Sequence, residues 1–379
     1  LKFIHFFRNK KQHQQETAMI NSFTRNRITR RRALQLGAGG LATMTIAPKF
    51  ARAADELNCL VWCDHTHARL LDPFAEKHGV KINVKEYEGT GTAYSLVEQS
   101  QPGDWDVFVI DSVDVPGAVE KGLLAELPEG EMPWDDIFPE LRQPQLHYKD
   151  GKLYAMPEKF GYNAIAYNNT KVSAEDVATA AVMWNPKYAG RIAIYNYYIP
   201  TMEMVALGLG IRPDTITQMS LPAIREKLLE MKKLASVVGD VVTTQNALLT
   251  GAADILVAGG EYTVAGMMVE KPELDWTLPK EGGIRWGQAI GVFADSGKKD
   301  LATEFVKYIL SPQGQGALAT ADCYWAMPAN SKAELDDSQK KQLRWDQQPG
   351  FIANSHPYFI PDADLDAAML DVWTEVLGA

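Results

Sequence analysis

Asp106-Val107-Phe108-Val109-Ile110-Asp111-Ser112 sets four consecutive apolar residues between an acid and an acid–serine pair. An unbroken apolar run of this length is the pattern of a strand buried on both faces, the kind found inside a parallel sheet. Working outward, Leu57–Cys63 and Val80–Tyr87 read as two more strands. Ala68–His78 reads as an amphipathic helix stopped by Gly79, and Thr92–Ser100 and Val115–Lys121 as further helices. The resulting β-α-β-α-β order predicts an α/β fold with a parallel sheet covered by helices. Ligands of such sheets sit beyond the carboxyl ends of the strands, which here carry Asp64-His65-Thr66 and Asp111-Ser112.

The middle of the chain repeats the class. Ala164–Asn168 reads as a crossing strand and Arg191–Tyr195 as the first strand of a new sheet. Helices are expected at Thr201–Gly208 and Ile224–Ala235, with strands near Val241–Val242 and Asp254–Ala258. Ile290–Ala294 reads as a strand returning to the first unit, followed by helices at Leu301–Leu310 and Leu365–Leu377. Two α/β lobes follow, one from 54–163 with 285–379 and the other from 164–284, joined by a hinge with a ligand cleft between them.

The first 53 residues read differently. Thr29-Arg30-Arg31-Arg32 precedes a nearly uncharged run to Ala47 and then Ala51-Arg52-Ala53. That is the layout of a twin-arginine export signal, with Met19 as the expected start and cleavage near Ala53. Periplasmic localisation and passage through the twin-arginine translocase follow as expectations. Gly37-Ala38-Gly39-Gly40-Leu41-Ala42 fits a dinucleotide-binding string but lacks the preceding strand that such a turn needs.

Setting residues 1–53 aside lowers the basic count from 38 to 27 and the acidic count only from 48 to 47, a formal charge of −20. Such a surface repels nucleic acid and anionic lipid and favours cationic or zwitterionic solutes. No later stretch approaches eighteen consecutive apolar residues. Cys59 and Cys63 lie about 13 Å apart along one strand, beyond the ~7 Å reach of a disulfide. The cysteines are therefore expected as buried thiols, with a Cys63–Cys323 bridge as the alternative. There is no Gly-x-Ser-x-Gly elbow and no Walker A string, so a binding protein without cofactor is expected rather than an enzyme.

Trp184-Asn185-Pro186-Lys187-Tyr188-Ala189-Gly190 and Leu278-Pro279-Lys280-Glu281-Gly282-Gly283-Ile284-Arg285-Trp286 carry a resemblance. With Asp104-Trp105-Asp106-Val107 and the segments 302–312 and 324–330, they resemble the spermidine/putrescine-binding branch of the extracellular solute-binding proteins of ABC importers. The resemblance implies a type II periplasmic-binding-protein fold that closes on a small solute and delivers it to a permease and its ATPase. In that branch the tryptophan matching Trp286 stacks on the ligand's methylene chain, and an Asp two residues later holds an amine. Here that position is Gln288, and the positions of an Asp and a Glu in the second lobe become Tyr197 and Pro200. The expected solute is thus amine-bearing, whether polyamine-like, amino-acid-like or betaine-like, and the receptor a monomer.

The candidate site comprises Asp64, His65, Asp111, Ser112, Phe160, Tyr197, Glu261, Trp286, Gln288 and Trp325. Aromatic faces attract cations by roughly 0.5–2 kcal/mol each, and Tyr195, Tyr198 and Tyr262 extend the aromatic set. Asp64 or His65 is expected to hydrogen-bond the solute, and Asp111 and Glu261 to supply carboxylates. Arg285, at the variable position of its string, reads as solvated, with pairing to a ligand carboxylate as the alternative. A metal-delivery function is the second reading. Cys63, His65 and His67 alternate and share a face on a strand, and thiolate with imidazole suits zinc or copper.

Overall fold

The computed structural model describes residues 55–379. The export-signal reading of residues 1–53 lies outside them. Residues 55–379 belong to one compact unit.

The first lobe opens as expected. Strands β1 (Glu56–Val61), β2 (Lys81–Glu86) and β3 (Val107–Asp111) alternate with helices α1 (Ala68–His78) and α2 (Thr90–Gln99), and α3 (Val115–Glu120) follows. α1 ends where Gly79 takes φ 64°, a left-handed conformation that glycine adopts without a Cβ penalty. β1 runs parallel to both β2 and β3, and Val107–Ile110 of β3 are wholly buried.

Two long strands then change the picture. β4 (Met156–Asn168) is thirteen residues long, and β9 (Gly283–Val292) runs antiparallel to both β4 and β3. Between them come β5 (Ile192–Tyr195), α4 (Tyr198–Gly208), α5 (Leu221–Leu234), β6 (Ala235–Gly239), α6 (Val241–Thr250), β7 (Ile255–Gly259), α7 (Glu261–Val264) and β8 (Leu274–Thr277). After β9 come α8 (Lys299–Ile309), α9 (Pro312–Ala319), β10 (Met327–Pro328), β11 (Ser355–Pro357) and α10 (Ala363–Gly378).

These eleven strands form one sheet, with the path β2-β1-β3-β9-β4-β7-β5-β6 and with β8 and β10 on β4 and β11 on β9, while Tyr148–Lys149 and Lys152–Leu153 pair as a separate two-stranded hairpin. Parallel blocks at each end are welded by the antiparallel β4–β9 pair. The first half of β4 pairs with β9 and the second half with β7 and β8. The expected crossing segments 164–168 and 290–294 are thus the ends of two longer strands, and β5 extends this sheet instead of starting a new one.

Two expectations fail. Val241-Val242 begins α6 instead of forming a strand, because Asp240 caps the helix by accepting from the Thr243 amide at 2.7 Å. The C-terminal helix, assigned above to the first lobe, buries Leu365, Met369, Trp373 and Val376 with Ile192, Met202 and Ile224 of the second. Its amphipathic pattern called for a partner face, and α4 and α5 supply it.

The cysteines need correction as well. Cys63 and Cys323 are disulfide-bonded, their Cα atoms 6.1 Å apart, and only Cys59 is a buried thiol. The bridge ties the loop after β1 to the loop before β10.

Candidate functional site

The carboxyl end of β3 meets the two crossing strands. Asp111 lies opposite Gln288 of β9, which lies opposite Lys159 of β4. Residues opposed across a ladder share a face, so these three side chains leave the sheet together. Trp286, two residues from Gln288, joins that face and lies over Gly161. A Cβ there would collide with the Trp286 ring and the Glu261 carboxyl, so glycine lets the indole settle onto the backbone. Tyr262 and Tyr324 stand edge-on to Trp286, with centroids 6.1 and 6.4 Å away.

Asp111 is half-buried, and among the described residues its carboxylate has no hydrogen-bond partner. Burial, aided by the neighbouring charges of Asp114 and Asp64, pushes its pKa up to about 7. Burial and then nearby charges, Asp111 among them, raise the hydroxyls of Tyr195, Tyr197 and Tyr358. Asp111 therefore lies within electrostatic reach of a cluster of tyrosines from the second lobe and the C-terminal segment. Tyr197 is 43% exposed, and its hydroxyl accepts from that of Tyr358 at 2.8 Å.

One carboxyl in this cluster was passed over in the sequence. Glu203 of α4 is buried, and neither of its oxygens makes a well-formed hydrogen bond. Burial raises its pKa well above the ordinary value, and its field reaches Tyr197 and Tyr358. A lone acid in the apolar run Tyr198–Gly208 was the available signal.

Asp64 and His65 do not line an open cleft. Both are buried, and their polar atoms are already engaged. The His65 Nδ1–H donates to Asp64 at 2.9 Å and the Nε2–H to the Glu158 carboxylate at 3.1 Å. Lys159 Nζ donates to Asp64 Oδ2 at 2.8 Å, and the Tyr324 hydroxyl to the same oxygen at 3.0 Å. Burial opposes the charge on His65, but Glu158 and Asp64 overcome it and raise its pKa to about 10. Burial alone would raise the Asp64 carboxyl, yet Lys159 and His65 hold it well below the usual carboxylate range. Two cations and two anions thus neutralise one another beneath the site. Gln288 Nε2 donates to Tyr324 at 3.1 Å, linking this network to the Asp111 face.

This network also removes the metal reading. Cys63 is bound in a disulfide, both His65 nitrogens are occupied, and the described residues hold no cluster fit for a metal ion.

The remaining candidates divide. Phe160 is buried, its ring edge-on to Phe138 and Tyr162, so it packs the core more than it faces solvent. Glu261 is buried against the Tyr162 amide at 3.1 Å, and burial pushes its pKa up to about 8. Trp325 is half-buried and packs on Gly266, which brings the two lobes together. Ser112 and Trp286 border a cavity of about 220 Å³ that is also lined by β4, β9 and the segment 357–360. Arg285 lines it too and is only 8% exposed, so it is not the solvated residue expected.

Asp111 thus stands at the carboxyl end of β3, where the two long strands β4 and β9 cross the middle of the sheet. The family model of bacterial extracellular solute-binding proteins matches residues 69–345. The chain belongs to that family. Among curated proteins, it is 24% identical to spermidine/putrescine-binding periplasmic protein 1 of Haemophilus influenzae, over 83% of this chain and 87% of that protein. The crystal structure of a spermidine/putrescine ABC transporter substrate-binding protein from Streptococcus pneumoniae superposes with a TM-score of 0.75. It is 17% identical and covers 86% of this chain and 99% of its own. A solved GABA receptor superposes at 0.64, with 20% identity over 85% of this chain and 97% of its own. The family's bilobal fold accounts for the two parallel blocks and the crossing pair.

Proposed function

We propose that this chain is the periplasmic receptor of an ABC importer, closing its lobes on a small amine-bearing solute and presenting the closed form to the permease and its ATPase. The observation that carries this reading is Asp111, a half-buried carboxylate without a protein partner beside Trp286, Tyr195, Tyr197 and Tyr358. A buried charge is costly unless it is paired, and a ligand ammonium supplies the pair while aromatic faces hold its carbon chain. The curated relatives named for spermidine and putrescine support an amine as cargo.

Closure requires that the solute bind the closed state better than the open one, since equal affinity shifts nothing. The chain acts as a monomer exported by the twin-arginine route, and the solute is captured and handed on chemically unchanged. Thermal unfolding in a panel of diamines, polyamines, ω-amino acids and betaines tests the proposal. A ligand at 100 times its Kd adds about 2.7 kcal/mol of stability. A panel that leaves the melting temperature unmoved, or a shift produced only by metal ions, would rule it out.

A further inference from the structure

Gln288 is 3% exposed, and the two ends of its amide stand in different surroundings. Its Nε2 donates to the Tyr324 hydroxyl at 3.1 Å, whereas its Oε1 is buried with no hydrogen-bond partner among the described residues. Buried polar atoms in native proteins are nearly always paired, so this acceptor calls for a donor from outside the chain.

The direction of that amide follows from the charges behind it. Asp64 is held ionised by Lys159 at 2.8 Å and His65 at 2.9 Å, so its oxygens can only accept. The Tyr324 hydroxyl therefore donates its single proton to Asp64 Oδ2, at 3.0 Å, and turns lone pairs toward its other neighbour. An amide facing those lone pairs must present its NH2 to them, which turns the carbonyl end away. The Cys63–Cys323 bridge joins the residues directly before Asp64 and Tyr324, so this hydrogen-bonded pair is stapled from both sides.

Gln288 lies opposite Asp111 across the β9–β3 ladder, and opposed side chains share a sheet face with Cβ atoms about 4.5–5.5 Å apart. Trp286, two residues earlier on β9, shares that face. The Asp111 carboxylate likewise has no hydrogen-bond partner among the described residues. One face thus carries two unpaired acceptors, one charged and one neutral. The donors beside them are already committed, Lys159 to Asp64 and Gln288 Nε2 to Tyr324.

We propose that Tyr324, held by Asp64 and the disulfide, is a positioning residue that fixes Gln288 as an acceptor beside Asp111, so that the site takes an ammonium head with at least two N–H groups. One N–H pairs with Asp111 and a second with Gln288 Oε1, the Trp286 ring lying alongside. Primary and monomethylated ammonium groups meet this requirement. Dimethylated heads have one N–H and quaternary heads none, so betaine-type solutes are excluded. Without Tyr324 the amide could turn its NH2 toward the cation, and the second acceptor would be lost. The proposal rests on the reading of Asp111 as the amine site, and the lobe opening that reading requires gives the solute access to these covered atoms.

Calorimetric titration of the purified protein with two probe series tests the proposal: 1,5-diaminopentane and 5-aminopentanoate, each methylated stepwise at nitrogen. Affinity is expected to stay within about threefold for the first methyl on a nitrogen and to fall at least about tenfold at the second, the size of a lost charged hydrogen bond. A fall that comes only with the third methyl would make Asp111 the sole acceptor, overturning the role of Gln288 while the amine-receptor reading stands. Affinity indifferent to methylation would overturn it as well. The positioning role is read from a double-mutant cycle. Tyr324→Phe should weaken the unmethylated probes by about five- to tenfold in the wild-type background and by less than about twofold beside Gln288→Leu. Equal losses in both backgrounds would show that Tyr324 does not act through Gln288. Should Gln288→Leu fail to fold, Tyr324→Phe alone decides, because the step at the second methyl should vanish in it; a step that survives overturns the proposal. Binding of none of the probes would sink the amine-receptor reading too.

Discussion

Asp111 titrates near neutrality, and this makes ligand affinity depend on pH in a calculable way. With a pKa of about 7 in the unliganded protein, the carboxyl is about one-tenth ionised at pH 6 and nine-tenths at pH 8. Only the ionised form pairs with an ammonium. The association constant for an amine-bearing solute should therefore rise about tenfold between those values and then level off. The sign follows from the raised pKa: the unliganded pocket holds the proton, and the bound cation expels it. Near pH 7 about half a proton should leave per solute bound. Calorimetry in two buffers of different ionisation enthalpy reads both quantities at once. Asp111→Asn should flatten the profile and abolish proton release, while weakening binding at pH 8 by roughly 10- to 100-fold, the loss of a charged hydrogen bond. Glu261, pushed up to about 8, is the neighbouring acid that complicates the profile. The Asn variant separates the two. A wild-type affinity flat from pH 6 to 8, or a slope that survives the substitution, would refute Asp111 as the amine partner.

The buried charge network yields a second expectation. Lys159→Met removes one of the two cations of the buried network, leaving the Asp64 and Glu158 carboxylates with His65 alone, and urea unfolding should show a loss of about 3–5 kcal/mol; a loss below about 1 kcal/mol would contradict the pairing. His65 has a folded pKa of about 10 against 6.5 unfolded, so its stabilising contribution is complete below pH 6.5 and is lost as pH rises toward 10. Unfolding free energies that stay level from pH 7 to 10 would show that the imidazolium is not held by Glu158 and Asp64. The disulfide predicts that one thiol per chain, Cys59, reacts under non-reducing denaturing conditions. The double variant Cys63→Ser, Cys323→Ser should lose about 2–4 kcal/mol. Three reactive thiols would show that the bridge does not form.

Much of this fold was visible in local patterns. The apolar run Val107–Ile110, the Gly79 stop and the α/β alternation needed only near neighbours to read. Ala164–Asn168 and Ile290–Ala294 showed only the ends of the two crossing strands, whose full lengths are Met156–Asn168 and Gly283–Val292. What stayed hidden depended on distant partners. Asp64 and His65 read as cleft residues because nothing nearby showed that Glu158 and Lys159, more than ninety residues away, fold onto them. The disulfide joins residues 260 apart, and helical periodicity in Ala363–Gly378 shows an apolar stripe without showing which lobe receives it. Val241-Val242 was misread because two β-branched residues outweighed the Asp240 cap. Glu203 could have been read from its apolar surroundings. Arg285 could not, since its burial depends on β11 pairing beside it.

A crystal structure of the protein with a bound amine-bearing solute is the most direct measurement. The ligand ammonium should lie within hydrogen-bond distance of Asp111, with the Trp286 ring within about 6 Å of the bound cation. A solute lodged away from the β3–β9 junction, with the Asp111 carboxylate still facing only water, would contradict the central claim.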